Sequence, residues 1–269
     1  MEQILRQGPQ QAVDLLFDTL PQLPAGDQAT AMAQACQKPA TAQGLIERIE
    51  KGQLPKELVG PNQLQQLAIL ADRSPPDSPL RNQLSNVWGR IRTEESKSRQ
   101  EVVQRMTQFL TKEARGDHRK GAEVYDRICG QCHQLENRGY EVGPNLTRNG
   151  RGSFDQLIVS VFDPSLVVGQ AYEGTTVLTE DGQVLQGLIR EKNDQQITLR
   201  MQGGKNETVL ATQISRIEQA AKSLMPEGIE EQLKPQEIAD LFAFLSRAAI
   251  DPTSTDTIPG TPESLHHPR

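Results

Sequence analysis

The run Cys129-Gly130-Gln131-Cys132-His133 decides how this chain is read. Two thiols three positions apart can add to the two vinyl groups of one porphyrin, and the imidazole that follows is then placed over the iron. Covalent attachment of one c-type haem, with its iron, is the leading expectation. A thioredoxin-like redox pair and half of a zinc site use the same cysteine spacing. A zinc site needs two more ligands at short spacing, and the only other cysteine, Cys36, lies far upstream. A redox pair is expected just after a strand, whereas this pair ends a helical pattern.

The flanking residues read as helices. Asp117 can cap a helix from about His118 to Gly130, with Gly121, Val124, Tyr125 and Ile128 along one side. A glycine four residues before an aromatic lets a second helix approach the backbone closely. The candidate partner is 235–247, where Pro235 suits a first turn and Ile238, Leu241, Phe242 and Leu245 form an amphipathic stripe. His133 is the proximal ligand by position, and its other ring nitrogen should donate to a carbonyl that fixes the ring.

For the opposite face of the iron the candidates are Met106, Met201, Met225, His118 and, remotely, Met32. Met201 alternates with Ile197 and Leu199 as in a strand, Met106 sits in a helical stripe, and His118 stands at an exposed helix start. Met225 belongs to Ser223-Leu224-Met225-Pro226-Glu227-Gly228, where proline and glycine keep the chain out of regular structure and leave a thioether presentable. A loop methionine is otherwise often a gap filler.

Between His133 and Met225 the pattern changes. A helix beginning near Ser153 (Phe154, Leu157, Ile158, Val161, Phe162) and the turn Asp163-Pro164-Ser165 precede strand-like runs at 174–178, 184–189, 196–201 and 208–210. Asp181-Gly182 between two such runs is a hairpin signal. A small β insertion over about 172–219, packed beside the haem domain, is predicted; haem-edge cover, partner docking and a structural role are all open for it.

Elsewhere, residues 1–93 read as a helical domain punctuated by prolines, either a HEAT-like array or an irregular bundle. Residues 94–115 read as a charged connecting helix, 116–248 as the haem domain, and 249–269 as a disordered tail holding His266 and His267. The net charge is −6 and the pI about 5.4, which offers no attraction to nucleic acid or an anionic membrane surface. No stretch approaches the ~18 apolar residues of a membrane-spanning helix. The first residues lack the basic and apolar regions of a secretory signal. Since haem attachment implies export, the chain is expected to be a piece of a longer periplasmic protein or to have a mis-set start.

Taken together, the CxxCH helix, Gly143-Pro144-Asn145-Leu146-Thr147, Phe162-Asp163-Pro164-Ser165, Tyr172, Thr179-Glu180-Asp181-Gly182, Gly187, and Ser223 through Gly228 before Asp240-Leu241 resemble the Pirellula/Verrucomicrobium-type haem-binding domain. The resemblance covers about 118–248, and more loosely the HEAT-like region before it. It implies a mainly α fold: an N-terminal helical domain, then a class I cytochrome c-like domain with the small β-sheet insertion. In that fold Gly121 and Tyr125 would cross Phe242 and Leu245, the Pro144 carbonyl would accept the His133 bond, and Met225 would be the sixth ligand. Tyr172, Arg138, Arg148 and Arg151 could meet haem propionates, simple solvation being the commoner role of an exposed arginine. The implied function is electron transfer, with electrons accepted from a dehydrogenase module or a redox partner protein. A haem peroxidase, a gas or redox sensor with a labile sixth ligand, and a docking scaffold are the alternatives. Lys234 departs from the better helix cap usual in the family, which predicts a slightly weaker last helix.

Overall fold

The computed structural model describes residues 9–23, 31–32, 35–36, 38–59, 61–75, 78–92, 97–147, 151–248 and 256–265. The chain divides into two compact units, Met1–Glu95 with Leu166–Gln170, and Ser96–Ser165 with Ala171–Arg269.

The first unit holds α1 (Pro9–Thr19), α2 (Pro39–Glu50), α3 (Pro61–Arg73) and α4 (Leu80–Trp88). Three of these helices begin on a proline, whose fixed φ suits the first turn and whose missing N–H loses no bond there. Helix α2 buries Ala42, Leu45, Ile46 and Ile49, a stripe spaced by three and four residues, and packs against α1 and α4. Phe17, Leu20, Met32, Leu67, Leu84 and Trp88 complete that core. Strand β1 (Arg90–Ile91) pairs antiparallel with β2 (Val167–Val168), so a short excursion of the chain closes this unit. Cys36 is only 1% exposed within the core, and burial pushes its thiol from the ordinary 9.0 up to about 12.

The second unit contains α5 (Lys97–Gln108), α6 (His118–Ile128), α7 (Phe154–Phe162), α8 (Ile229–Gln232) and α9 (Pro235–Leu245). Helix α5, read from sequence as a connector, runs into a π-helical turn at Phe109–Glu113 and contributes Val102 and Leu110 to this unit's core. Asp117 caps α6, its carboxylate accepting the Arg119 N–H at 2.9 Å. At the start of α9 the Glu237 carboxylate accepts the Lys234 N–H at 3.0 Å, so a carboxylate supplies the N-terminal cap that the Lys234 side chain does not.

Helices α6 and α9 pack closely, and Gly121 makes this possible. A Cβ at that position would lie 1.9 Å from the Asp240 carbonyl oxygen. The facing residues differ from the expected Phe242 and Leu245. Asp240 and Phe244, four apart on one helical face, meet α6: Asp240 accepts the Asp117 N–H at 2.7 Å, and the Phe244 ring lies 5.4 Å from that of Tyr125. Phe242 instead stacks on Phe162 at 5.4 Å and meets Phe154 edge-on at 5.9 Å. Every residue from Ile238 to Leu245 is buried, so α9 has no polar face from which a single contact stripe could be inferred.

The mainly α class is corrected by the segment between α7 and α8. Strands β3 (Thr175–Thr179), β4 (Val184–Lys192), β5 (Gln196–Arg200), β6 (Asn206–Leu210) and β7 (Ile214–Gln219) form one antiparallel sheet in the order β6-β5-β4-β3-β7. The protein is about 48% helix and 18% strand, an α/β mixture and not a helical cytochrome c-like fold with a minor insertion. The physical reason is that this sheet has a core of its own. Val177, Ile197, Leu199 and Val209 are buried against one another, with Leu185, Met201 and Ile214 beside them. Strand β7 was not anticipated, because most of its residues are exposed and polar; it returns from the 3-10 turn Ala211–Gln213 to pair with β3.

The tail is corrected as well. Within it, 256–265 is folded: Ile258 and Leu265 join the second unit's core, and the Pro259 carbonyl accepts the Phe154 N–H at 2.9 Å. Two apolar residues spaced by seven in a Pro/Thr-rich stretch are too few to register as a period. His266 and His267 lie outside the described residues.

Candidate functional site

Helix α6 delivers the motif. Cys129 is its C-cap, donating its N–H to the Tyr125 carbonyl at 2.8 Å, and the Cys132 and His133 N–H groups return to the Cys129 carbonyl at 3.0 and 2.8 Å. This extra turn brings both thiols and the imidazole to one end of the helix. Both cysteines are free and half-buried. Burial first, and then the neighbouring Cys132, pushes the Cys129 thiol up to about 12; burial also raises that of Cys132. The negative end of the α6 dipole acts in the same direction. A redox nucleophile requires the reverse, a thiol at a helix N-terminus or beside cations with its pKa lowered.

His133 is fixed from several sides. Its Nδ1 lies 2.9 Å from the Pro144 carbonyl oxygen. A carbonyl can only accept, so Nδ1 carries the proton and the Nε2 lone pair is left for a Lewis acid. Burial lowers the pKa of His133 by more than the bond to Pro144 raises it, which keeps the ring neutral. Tyr125, fully buried, donates its hydroxyl to the His133 carbonyl at 2.6 Å. Gly143 sits against the ring: a Cβ there would be 2.8 Å from Cε1 and 3.1 Å from Nδ1.

The segment after the motif wraps around it as a strap. Val142 and Gly143 donate to the Cys132 carbonyl at 2.9 and 2.7 Å, Tyr140 to that of Gly130 at 2.9 Å, and Leu146 to that of Gln134 at 2.7 Å. From the sheet, Gly203 donates its N–H to the Gln131 carbonyl at 2.8 Å, so the turn between β5 and β6 is seated on the motif itself. Sequence reasoning gave no role to Tyr125 as a donor, to Gly143 or to Gly203. Gly143 had a signal, a glycine immediately before the proline whose carbonyl is used; the contact of Gly203 had none.

The remaining candidates divide. Met225 is in the loop before α8, half-buried against the second unit's core. Among the other candidates for the sixth position, Met32 is 2% exposed in the first unit's core, Met201 packs in the sheet core, and Met106 packs from α5. His118 is the first residue of α6, its pKa lowered chiefly by burial. Tyr172 ends a 3-10 turn at Gln170–Tyr172, half-buried. Arg138 is engaged in an exposed ion pair with Asp126 at 2.6 Å. Arg151 donates its Nε to the Leu146 carbonyl at 2.6 Å and its Nη1 to those of Leu245 and Arg247 at 3.0 and 2.6 Å. Arg148 lies outside the described residues.

The donor set suits a covalently held haem. Two unpaired thiols lie on one turn, and the neutral imidazole is oriented through Nδ1 with Nε2 free. The first would form thioethers and the second would bind iron. No protein-family model matches the chain, and no relative was found among curated proteins.

Proposed function

We propose that this chain is a haem-binding electron carrier of the Pirellula/Verrucomicrobium type, holding one c-type haem through Cys129 and Cys132 with His133 as the proximal ligand. The observation that carries the reading is the His133 ring, neutral, half-buried and hydrogen-bonded through Nδ1 to Pro144, immediately after an unpaired CxxC. The haem would supply reversible one-electron oxidation and reduction at iron. The chain's own residues fix the ring tautomer, close its approach with Gly143 and the strap, and hold the motif's carbonyls in hydrogen bonds. Met225 would offer its thioether as the second protein ligand to that iron, and with both ligands engaged the haem would have no position left for substrate. The electrons come from a dehydrogenase module or partner, in an exported, haem-ligating compartment.

Expression with a cytochrome c maturation system tests this directly. One haem per chain, retained on denaturation and solvent extraction and lost in the Cys129→Ala/Cys132→Ala variant, is the expected result; a chain that stays colourless overturns it. The spectrum then separates carrier from sensor or peroxidase. A low-spin iron with a methionine-to-iron charge-transfer band and no binding of carbon monoxide is expected, and high-spin iron that binds carbon monoxide would assign the alternative.

A further inference from the structure

Ser165, on the turn that follows α7, holds the entering limb of the loop carrying Met225: its Oγ accepts the Ser223 N–H at 3.3 Å. Inside the loop the Met225 N–H donates to the Ser223 Oγ at 3.1 Å, and the Lys222–Glu227 ion pair at 3.0 Å closes the base. Leu224 is seated on Gly174, where a Cβ would stand 2.6 Å from the Leu224 Cδ2.

The helix that leaves the loop is anchored to the same end of α7. Glu230, in the first turn of α8, pairs with Arg99 at 2.8 Å, the two side chains being 2% and 11% exposed. Arg99 also donates to the carbonyl of Phe162, the last residue of α7, at 3.3 Å. The loop entrance and the following helix thus both refer to the C-terminal end of α7. This matters because methionine has three rotatable bonds and its thioether is a weak acceptor. Ordering an irregular loop also costs backbone entropy, so a loop that must present a thioether gains from being ordered beforehand.

We infer that Ser165 is a positioning residue for Met225, its hydroxyl oxygen holding the entering limb of the loop at Ser223, whose own hydroxyl holds the Met225 N–H, so that the thioether is held in place before it is used. The inference rests on the assignment of Met225 as an axial ligand, and the experiment separates the two. The full haem-loaded chain is compared with Ser165→Ala, Ser165→Thr and Met225→Ala, using amide exchange at Ser223 and Met225 and titration of the iron with imidazole. Ser165→Ala is expected to speed exchange at both amides about tenfold and to let imidazole bind at about tenfold lower concentration, the loss expected for one part-buried hydrogen bond. Ser165→Thr, which keeps the hydroxyl, should behave like the parent. Exchange and imidazole affinity unchanged in Ser165→Ala would overturn the inference. So would a Ser165→Thr variant as loose as the alanine, because packing and not the hydroxyl would then hold the loop. If Met225→Ala leaves the haem spectrum unchanged, the ligand assignment fails, and the exchange rates alone still judge whether Ser165 ties the loop.

Discussion

His133 Nδ1 and the Pro144 carbonyl oxygen are 2.9 Å apart, and the glycine between them in the chain, Gly143, lies against the imidazole face with room for no side chain. The strap that orients the ring and the residue that clears space for it are therefore adjacent. Gly143→Ala puts a methyl 2.8 Å from Cε1, and the ring must tilt away from the Pro144 carbonyl. Outer-shell changes of this kind cost about 10- to 100-fold in metal affinity. The expected outcome in the haem-loaded protein is a population of high-spin iron, measured by absorption or electron paramagnetic resonance.

At the crossing of α6 and α9 two effects oppose each other. Gly121→Ala raises helix propensity by about 1 kcal/mol. It also drives a Cβ to within 1.9 Å of the Asp240 carbonyl oxygen, a backbone atom inside a helix buried on all sides. Overpacking of this kind costs about 1–3 kcal/mol and sometimes more, so the clash wins. Denaturant unfolding should show a net loss of about 1–2 kcal/mol, and Gly121→Val a larger one.

Arg151 holds three carbonyls from two segments, that of Leu146 after the motif and those of Leu245 and Arg247 at the end of α9. Charge-assisted bonds contribute about 1.5–3 kcal/mol each, and water recovers part of that at a half-buried site. Arg151→Ala is expected to lower unfolding free energy by about 2–3 kcal/mol while haem content and spectrum stay those of the parent. A haem that is lost or shifted in potential without loss of stability would return Arg151 to the propionates.

The first unit carries a pH dependence through Cys36. Its thiol is raised from 9.0 to about 12 by burial, so the fold favours the protonated form. Below pH 9 both states hold the proton and stability is intact. Between 9 and about 12 the unfolded chain releases the proton while the folded chain keeps it, and stability falls by up to ~1.4 kcal/mol per pH unit. Cys36→Ala should be less stable at neutral pH through lost packing and should show a flatter decline in alkali, followed by circular dichroism across that range.

Much of the site could be read in one dimension because its parts are close in sequence. The thiols and imidazole occupy one helical turn, and Pro144 follows His133 by eleven residues, a span that a short strap can close. Asp117 as a cap needed only its position before a helical pattern, since a cap acts on the next two residues. The face of α9 turned toward α6 was misread for a different reason. Burial all round removes the polar side that a periodicity argument needs, and only the close approach at Gly121 selects Asp240 and Phe244 over Phe242 and Leu245.

The sequence by itself determined the chemistry available: two thiols, an imidazole, a proline carbonyl and a loop methionine, each fixed by residue type and short spacing. Tertiary structure alone decided how those groups are restrained. The sheet is a core in its own right because Val177, Ile197, Leu199 and Val209 meet only when four strands pair. Gly203 reaches Gln131, and Ser165 reaches Ser223, across dozens of residues. Contacts between polar groups so far apart in the chain leave no periodic trace, because a single hydrogen bond constrains two positions and not the pattern between them.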